Sequence, residues 1–374
     1  MRSREKSQPA DGYSELIRST RAAGRKRAAL WRTRKGLEVA AEWDELRKIV
    51  SMASVDVKHG NHVVMACDEG YAVPLATSIR SIVDANRGNQ ELNIVIVTSE
   101  FSTHLKTKVT SSLTSASTSV NWVHVDLSAF AQFSTRPYLS KMTYARLLLP
   151  DVLPRGVSRA LYLDTDVLVL DDLTALWTLD LQGAVVAAVP DIDSQTNADR
   201  LRSDLKADSP VYFNAGVLLV DIERWREQQI SEKALQYLQA NPHTFNAEQD
   251  ALNVVCSGCW RPIDERWNWQ TFDEAAGAVY SAATRASIIH FVGPFKPWNA
   301  SSLSVNADLY NSFRNRTCFA RTPCEAAGDR LINAWYRSKR NLRQYKLMRT
   351  IWRIAMKREL RRPGNSPAQN HSRI

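Results

Sequence analysis

The first chemical signal in this 374-residue sequence is Asp164-Thr165-Asp166, which ends the apolar run Arg159-Ala-Leu-Tyr-Leu163. Carboxylates at the end of a buried strand are costly unless a cation offsets them. Acids at i and i+2 of a strand point to one side, and a turn after the strand lets both reach one ion. A hard divalent cation with oxygen ligands, itself also bound by a phosphate, suits such a pair. His290 closes a second apolar run, Ser287-Ile-Ile-His290-Phe291, and precedes Gly293 and Lys296 in a proline-stiffened turn. A lone histidine there reads as a hydrogen-bonded core residue. Joined to a glycine that admits close backbone approach and a lysine point charge, it reads as part of a diphosphate site.

Two further polar groups interrupt apolar patterns. Asn214-Ala215-Gly216 lies between Tyr212-Phe213 and Val217-Leu-Leu-Val220, where a buried amide must find partners. Glu248-Gln249-Asp250 opens a helical pattern after Pro242 and Asn246. A first helical turn favours acids through the helix dipole, which accounts for Glu248 and Asp250 without any ligand. Cys256-Ser-Gly-Cys259 has no second pair at zinc-like spacing and reads as two buried or half-buried thiols. Five cysteines, an odd number in a long chain, fit a reducing compartment. Three Asn-x-Ser/Thr patterns, at Asn299, Asn315 and Asn370, read as chance matches.

The elements that position these groups alternate in type. Val63–Ala66, Leu92–Thr98 and Val120–Val125 read as buried strands, separated by helical patterns over Val73–Val83 and Ser102–Ser112. Thr143–Leu149 reads as helical, Arg159–Leu163, Ala184–Val189 and Phe213–Ile222 as strands, Glu223–Ala240 and Ala247–Cys256 as helices, and Ser287–Phe291 as a last strand. Strands alternating with helices of this length predict β-α-β units and an α/β fold. The organisation expected is a partly helical or disordered extension over 1–60, one catalytic domain over 61–320, and a tail over 321–374.

Charge divides the same way. The whole chain carries 49 basic and 39 acidic residues, a net +10, which taken alone suggests nucleic acid or an anionic membrane. Residues 1–60 hold 14 basic and 8 acidic groups, and residues 330–374 hold 13 basic groups and one acid, Glu359. The middle is therefore acidic, with 22 basic and 30 acidic groups, which argues against a nucleic-acid-binding core. No run approaches the ~20 apolar residues of a membrane span, and the polar start Met1–Ala10 predicts no cleaved signal. Leu331, Trp335, Leu342, Tyr345, Met348, Trp352 and Met356 recur at helical steps among Arg and Lys. That is the pattern of an interfacial membrane helix, or of a stripe packed on the protein's own core.

Cys67-Asp68-Glu69 with Tyr71, Tyr144-Ala145-Arg146, Asp164-Thr165-Asp166, Phe213-Asn214-Ala215-Gly216, Glu248-Gln249-Asp250 and His290-Phe-Val-Gly293-Pro-Phe-Lys296-Pro-Trp298 occur in this order. The set resembles glycosyltransferase family 8, the retaining nucleotide-sugar transferases, over roughly residues 61–300. The resemblance implies a GT-A fold, a Rossmann-like mixed sheet flanked by helices, here with basic helical extensions at both ends. It also implies a UDP-sugar donor and Mn²⁺ (or Mg²⁺). Residue by residue, it implies that Asp164, Asp166 and His290 bind the metal. Asp68 would contact the nucleoside and Tyr71 would stack on uracil. Arg146, Asn214 and Glu248 would hold the donor sugar hydroxyls, Gly293 and Lys296 would hold the diphosphate, and Ala66, Ala215 and Asp164 are further substrate-binding candidates. Gln249 falls beneath the anomeric carbon, and Glu248 stands where the family usually has Asp. Gln249 and Glu248 are the candidate catalytic pair.

The expected activity is transfer of a hexose from a UDP-sugar to a glycan or glycolipid acceptor of lipopolysaccharide type. The expected location is cytoplasmic, peripheral on the inner face of the cell membrane, with the tail on anionic lipid and no nucleic acid bound. Two other readings use parts of the pattern. A metal-dependent nucleotidyltransferase would also use paired acids, and a non-enzymatic membrane- or nucleic-acid-binding protein would act through the basic ends.

Overall fold

The computed structural model describes residues 60–88, 90–113, 115–136, 140–205, 211–271, 286–294, 296–299, 306–336 and 338–339. The extension expected over 1–60 and most of the basic tail lie outside the described residues.

Among the described residues, ten strands form two sheets. The larger takes β1 (Asn61–Ala66), β2 (Leu92–Thr98), β3 (Thr118–His124), β4 (Arg159–Leu163), β6 (Val186–Pro190), β7 (Phe213–Asp221) and β8 (Trp260–Pro262) in the order β3-β2-β1-β4-β7-β6-β8. Strands β1 to β4 run parallel, while β7 is antiparallel to both β4 and β6. The smaller sheet joins β5 (Val167–Val169), β10 (Ile288–His290) and β9 (Trp269–Gln270). The architecture is the mixed sheet of the GT-A expectation.

The near-continuous apolar runs arise because both faces of the larger sheet are covered. Side chains alternate between two cores: Val63 and Met65 face one, Val64 the other, and likewise Ile94 and Ile96 against Val95 and Val97. Helices α1 (Ala72–Ala85) and α2 (Thr103–Thr110) cover one face through Leu75, Ile79, Ile82 and Val109. On the other face lie α5 (Ile230–Ala240) and α6 (Glu248–Val255), through Leu235, Leu238, Ala251 and Leu252. The short helices α3 (Ser194–Arg200) and α4 (Ile222–Glu227) flank β7, and α7 (Ala307–Arg314) packs on α1.

One expectation is corrected, and two features go beyond what the sequence predicts. The helix expected over Glu223–Ala240 is two, α4 and α5, because Gln229 adopts a left-handed backbone (φ 53) between them. No glycine or proline marks that break. The segment Lys141–Leu148 is a 3₁₀ helix. Its three-residue repeat puts Thr143 and Arg146 on one side, where both reach Glu248. The strands β5, β8 and β9, of two or three residues each, are too short to leave a periodic signal.

Candidate active site

The carboxyl ends of β1, β4 and β6 and the start of the antiparallel β7 converge on one cleft of about 520 Å³. This is where open α/β sheets gather ligands. Asp164 follows β4 directly, and its N–H donates to the Gly216 carbonyl at 2.8 Å. Asp166 precedes β5, and its carbonyl accepts from Phe291 N–H at 2.9 Å. Pairing of β10 with β5 sets His290 opposite Val167. Two carboxylates and one imidazole, 126 positions apart in sequence between Asp164 and His290, thereby offer ligand atoms within 4.8 Å of one another.

The arrangement fits a divalent cation. His290 Nε2 lies 3.2 Å from Asp166 Oδ1 and 3.8 Å from Asp164 Oδ2. Asp166 Oδ1 is buried with no hydrogen-bond partner. Burial pushes the Asp166 carboxyl upward, but Lys296 and His290 more than offset it and hold the group well below the usual carboxylate range. Lys296 Nζ donates to Asp166 Oδ2 and to the Phe291 carbonyl. Gly293, on the cavity wall, has φ +75, a region that favours glycine. At the same end, Ala66 and Asp68 line the cleft, and the Asp68 side chain makes no capping bond to the turn that follows it. Tyr71 lines it too, edge-on to Trp298 with ring centroids 5.8 Å apart.

A second polar group adjoins the first. Arg146, buried over the Tyr162 ring, bonds Asp164 Oδ1 at 2.7 Å and reaches Glu248 Oε1 at 3.1 Å. Thr143 donates to the same Glu248 oxygen at 2.6 Å. Burial raises the Glu248 pKa, and Arg146 only partly counters this. Arg146 Nε and Glu248 Oε2 have no hydrogen-bond partner, so a fully buried pair retains capacity for a ligand's hydroxyls. The residue before Glu248, Ala247, takes φ 50 and ψ −129. A buried alanine held there is backbone strain at the point that aims Glu248 and Gln249 into the cleft.

Gln249 is held from three sides. Its Oε1 accepts from Ala215 N–H at 2.9 Å, and its Nε2 donates to Tyr212 Oη at 3.2 Å and to Asp191 Oδ2 at 3.4 Å. Ala215 itself is fully buried behind the cleft and contributes that N–H. Asn214 lines the cleft. Asp250 faces away, paired with Arg200 and accepting from Tyr212 at 2.6 Å. Its place in the first helical turn has a structural role, as the dipole argument allows. Cys256 and Cys259 are thiols not joined in a disulfide, one buried and one half-buried.

Sequence reasoning passed over Asp191, Asn268 and Thr143. Asp191 follows β6 as Asp164 follows β4, so its place at a strand end was the available signal. Asn268, between Trp267 and Trp269, is 1% exposed. Nothing in its neighbours announces a partner 22 residues away.

The family model described as "Glycosyl transferase family 8" matches residues 62–302. The chain belongs to that family. It is a nucleotide-sugar glycosyltransferase. General stress protein A of Bacillus subtilis is 27% identical over 270 residues, 68% of this chain and 93% of that protein. Glycosyltransferase GlyF of Streptococcus pneumoniae is 25% identical over 262 residues, 68% of this chain and 61% of that protein. Among solved structures, the family 8 chain is similar to the galactosyltransferase LgtC in complex with donor and acceptor sugar analogues. That likeness has TM-score 0.61 and 25% identity, covering 72% of this chain and 99% of LgtC.

Proposed function

We propose that the protein transfers a hexose from a UDP-sugar to a glycan or glycolipid acceptor with retention of anomeric configuration, using Mn²⁺. The observation that carries this reading is one cleft in which Asp164, Asp166 and His290 meet beside Lys296 at one end and Arg146, Glu248 and Gln249 at the other. A metal-dependent nucleotidyltransferase would account for the paired acids but not for the buried Arg146–Glu248 pair with its free capacity.

Breaking the bond from sugar to UDP leaves negative charge on the diphosphate and positive character on the sugar. The cation, when bound, supplies a Lewis acid for the departing diphosphate. Lys296 adds a fixed positive charge beside it, and Tyr71 and Asp68 take the nucleoside end. Arg146 Nε, Glu248 Oε2 and Asn214 hold the sugar's hydroxyls. Retention needs a covalent intermediate or attack from the departing face. Gln249 is an amide whose carbonyl already accepts a hydrogen bond from Ala215 N–H, a poor nucleophile in either respect. Same-face attack follows, with Gln249 and Glu248 placing partial and full negative charge near the oxocarbenium-like centre.

The test is a screen of UDP-glucose, UDP-galactose and UDP-N-acetyl sugars for Mn²⁺-dependent UDP release. One donor is expected to turn over, with chelator or Asp164→Ala lowering kcat/KM by about a thousandfold or more. Turnover by Asp164→Ala in the presence of chelator sinks the reading.

We further propose that the C-terminal tail holds the enzyme on the inner face of an anionic membrane. Thr322 and Glu325 form a reciprocal capping box, Thr322 N–H to Glu325 at 2.8 Å and Glu325 N–H to Thr322 at 3.2 Å. The helix that follows exposes Leu331 by 73% and Trp335 by 51%, with the Lys339 ammonium 3.8 Å from the Trp335 ring centroid. Within the described residues this stripe is therefore not packed on the protein's own core, and no helix there is long and apolar enough to cross a membrane. Each basic residue near such a surface contributes about 1 kcal/mol, screened by salt. Deleting residues 331–374 is expected to move the protein from the membrane pellet to the supernatant while UDP-sugar hydrolysis persists. Pelleting that survives both the deletion and a high-salt wash overturns the proposal.

A further inference from the structure

From the wall of the cleft inward runs a chain of carboxamides whose direction is fixed at its ends. Asn214 Nδ2 donates to Asp191 Oδ2 at 3.0 Å, and Asn214 Oδ1 accepts both from Gly216 N–H at 3.0 Å and from Asn268 Nδ2 at 2.9 Å. Rotating the Asn214 amide by half a turn would set its oxygen against the Asp191 carboxylate and its NH₂ against a backbone N–H. Neither contact is tolerable in a buried site. The orientation of Asn268 follows, since its NH₂ must meet Asn214 Oδ1. Its own Oδ1 then faces His290 Nδ1 at 2.9 Å. An amide oxygen only accepts, so Nδ1 must carry a proton. With Nδ1 protonated, Nε2 is the nitrogen whose lone pair can serve a cation between Asp164 and Asp166.

Asp191 orders the other side as well. The same Oδ2 that accepts from Asn214 accepts from Gln249 Nε2 at 3.4 Å, while its Oδ1 accepts from Asp193 N–H at 2.9 Å and from Asn197 Nδ2 at 3.3 Å. With four donors converging on it, the carboxylate can only accept, and Gln249 must turn its NH₂ toward Asp191 and its carbonyl toward Ala215.

We propose that Asp191, Asn214 and Asn268 are positioning residues that form a one-directional relay: from one carboxylate they fix the proton of His290 on Nδ1, which frees Nε2 for the metal, and they fix the orientation of the Gln249 amide. The metal half of this inference rests on the cation site of the proposed function; the proton's position does not.

Mn²⁺ binding is measured by electron paramagnetic resonance on the full chain, independently of turnover. Asn268→Ala removes the acceptor for Nδ1–H, and its Mn²⁺ dissociation constant is expected to rise about 10- to 100-fold. Asn268→Asp keeps an acceptor for Nδ1–H but sets its second carboxylate oxygen against Asn214 Oδ1, so its constant is expected to lie no higher than that of Asn268→Ala. An unchanged constant in Asn268→Ala overturns the relay. Because Asn268→Ala could fail to fold, the ¹⁵N resonances of His290 in the metal-free parent protein provide the second measurement. A proton on Nδ1 is expected, and an unprotonated Nδ1 overturns the inference without any variant. Nδ1–H in a parent protein that takes up no Mn²⁺ upholds the relay and overturns the cation reading instead.

Discussion

Gly216→Ala is expected to abolish Mn²⁺ binding and lower kcat/KM by about a thousandfold or more, an effect comparable to removing a metal ligand. A Cβ built on Gly216 would lie 2.2 Å from His290 Cε1, 2.7 Å from Asp164 Oδ2 and 2.9 Å from His290 Nδ1. The carboxylate could swing aside, but the imidazole is held between Asn268 and the β5–β10 pairing and has nowhere to go. Gly216 also donates its N–H to Asn214 and accepts from Asp164 through its carbonyl, so any backbone retreat pulls on both. The stability loss from overpacking is about 1–3 kcal/mol, small enough to leave a folded protein in which Mn²⁺ binding and UDP release can both be read. Retained metal affinity in a folded Gly216→Ala protein would show that the cation does not sit between Asp164 and His290.

Arg146→Met is expected to cost about 3–5 kcal/mol of stability and to lower kcat/KM by about a hundredfold or more, through weaker donor binding and a misplaced Glu248. The arginine is the shared cation of Asp164 and Glu248, and removing it strands a carboxylate that is 1% exposed. Methionine keeps the contact over Tyr162, so the effect reads charge more than volume. The pH dependence has a definite sign. Burial already raises the Glu248 pKa in the parent protein, with Arg146 the chief opposing influence. Without Arg146 the folded-state pKa rises further above the unfolded value. The folded state then binds the proton more tightly, so the variant is most stable below the usual Glu range and loses stability as pH rises through the raised pKa. Urea midpoints measured across that range check this: a parent-minus-variant difference that does not widen with pH contradicts the placement of Arg146 as the partner of Glu248.

These two positions separate what a linear sequence holds from what it does not. Arg146 was legible because Tyr-Ala-Arg belongs to an ordered set of motifs, and Asp164, Asp166, His290 and Lys296 were legible because charged groups at strand ends must be answered by something. The structure brings all of them to one cleft, as the ordering implied. Gly216 was legible only as part of a motif. Its need for a missing side chain depends on His290, which reaches it from another sheet. The short strands β5, β8 and β9, the left-handed Gln229 and the 3₁₀ geometry of Lys141–Leu148 were not legible at all. Each is decided by what the segment packs against rather than by its own periodicity.

The opposite charges of middle and ends are likewise a property of composition, and they turn the expectation from nucleic acid toward an acidic catalytic unit. Which acids matter was not in the count. Asp191 and Asp250 both accept from Tyr212 or Gln249 neighbours in one network, yet Asp191 lines the cleft and Asp250 is buried behind it.

The sequence by itself determined the fold class, the two-faced burial of the sheet and the charged groups that the structure gathers in the cleft, because hydrophobic alternation and uncompensated charge are local signals. Only the tertiary structure decided how those ligands are oriented. Hydrogen bonds are short-ranged and directional, and the ones that set the His290 proton join residues 23, 54 and 22 positions apart. No spacing rule in the chain encodes such a link; it exists only once β6, β7, β9 and β10 have brought Asp191, Asn214, Asn268 and His290 into contact.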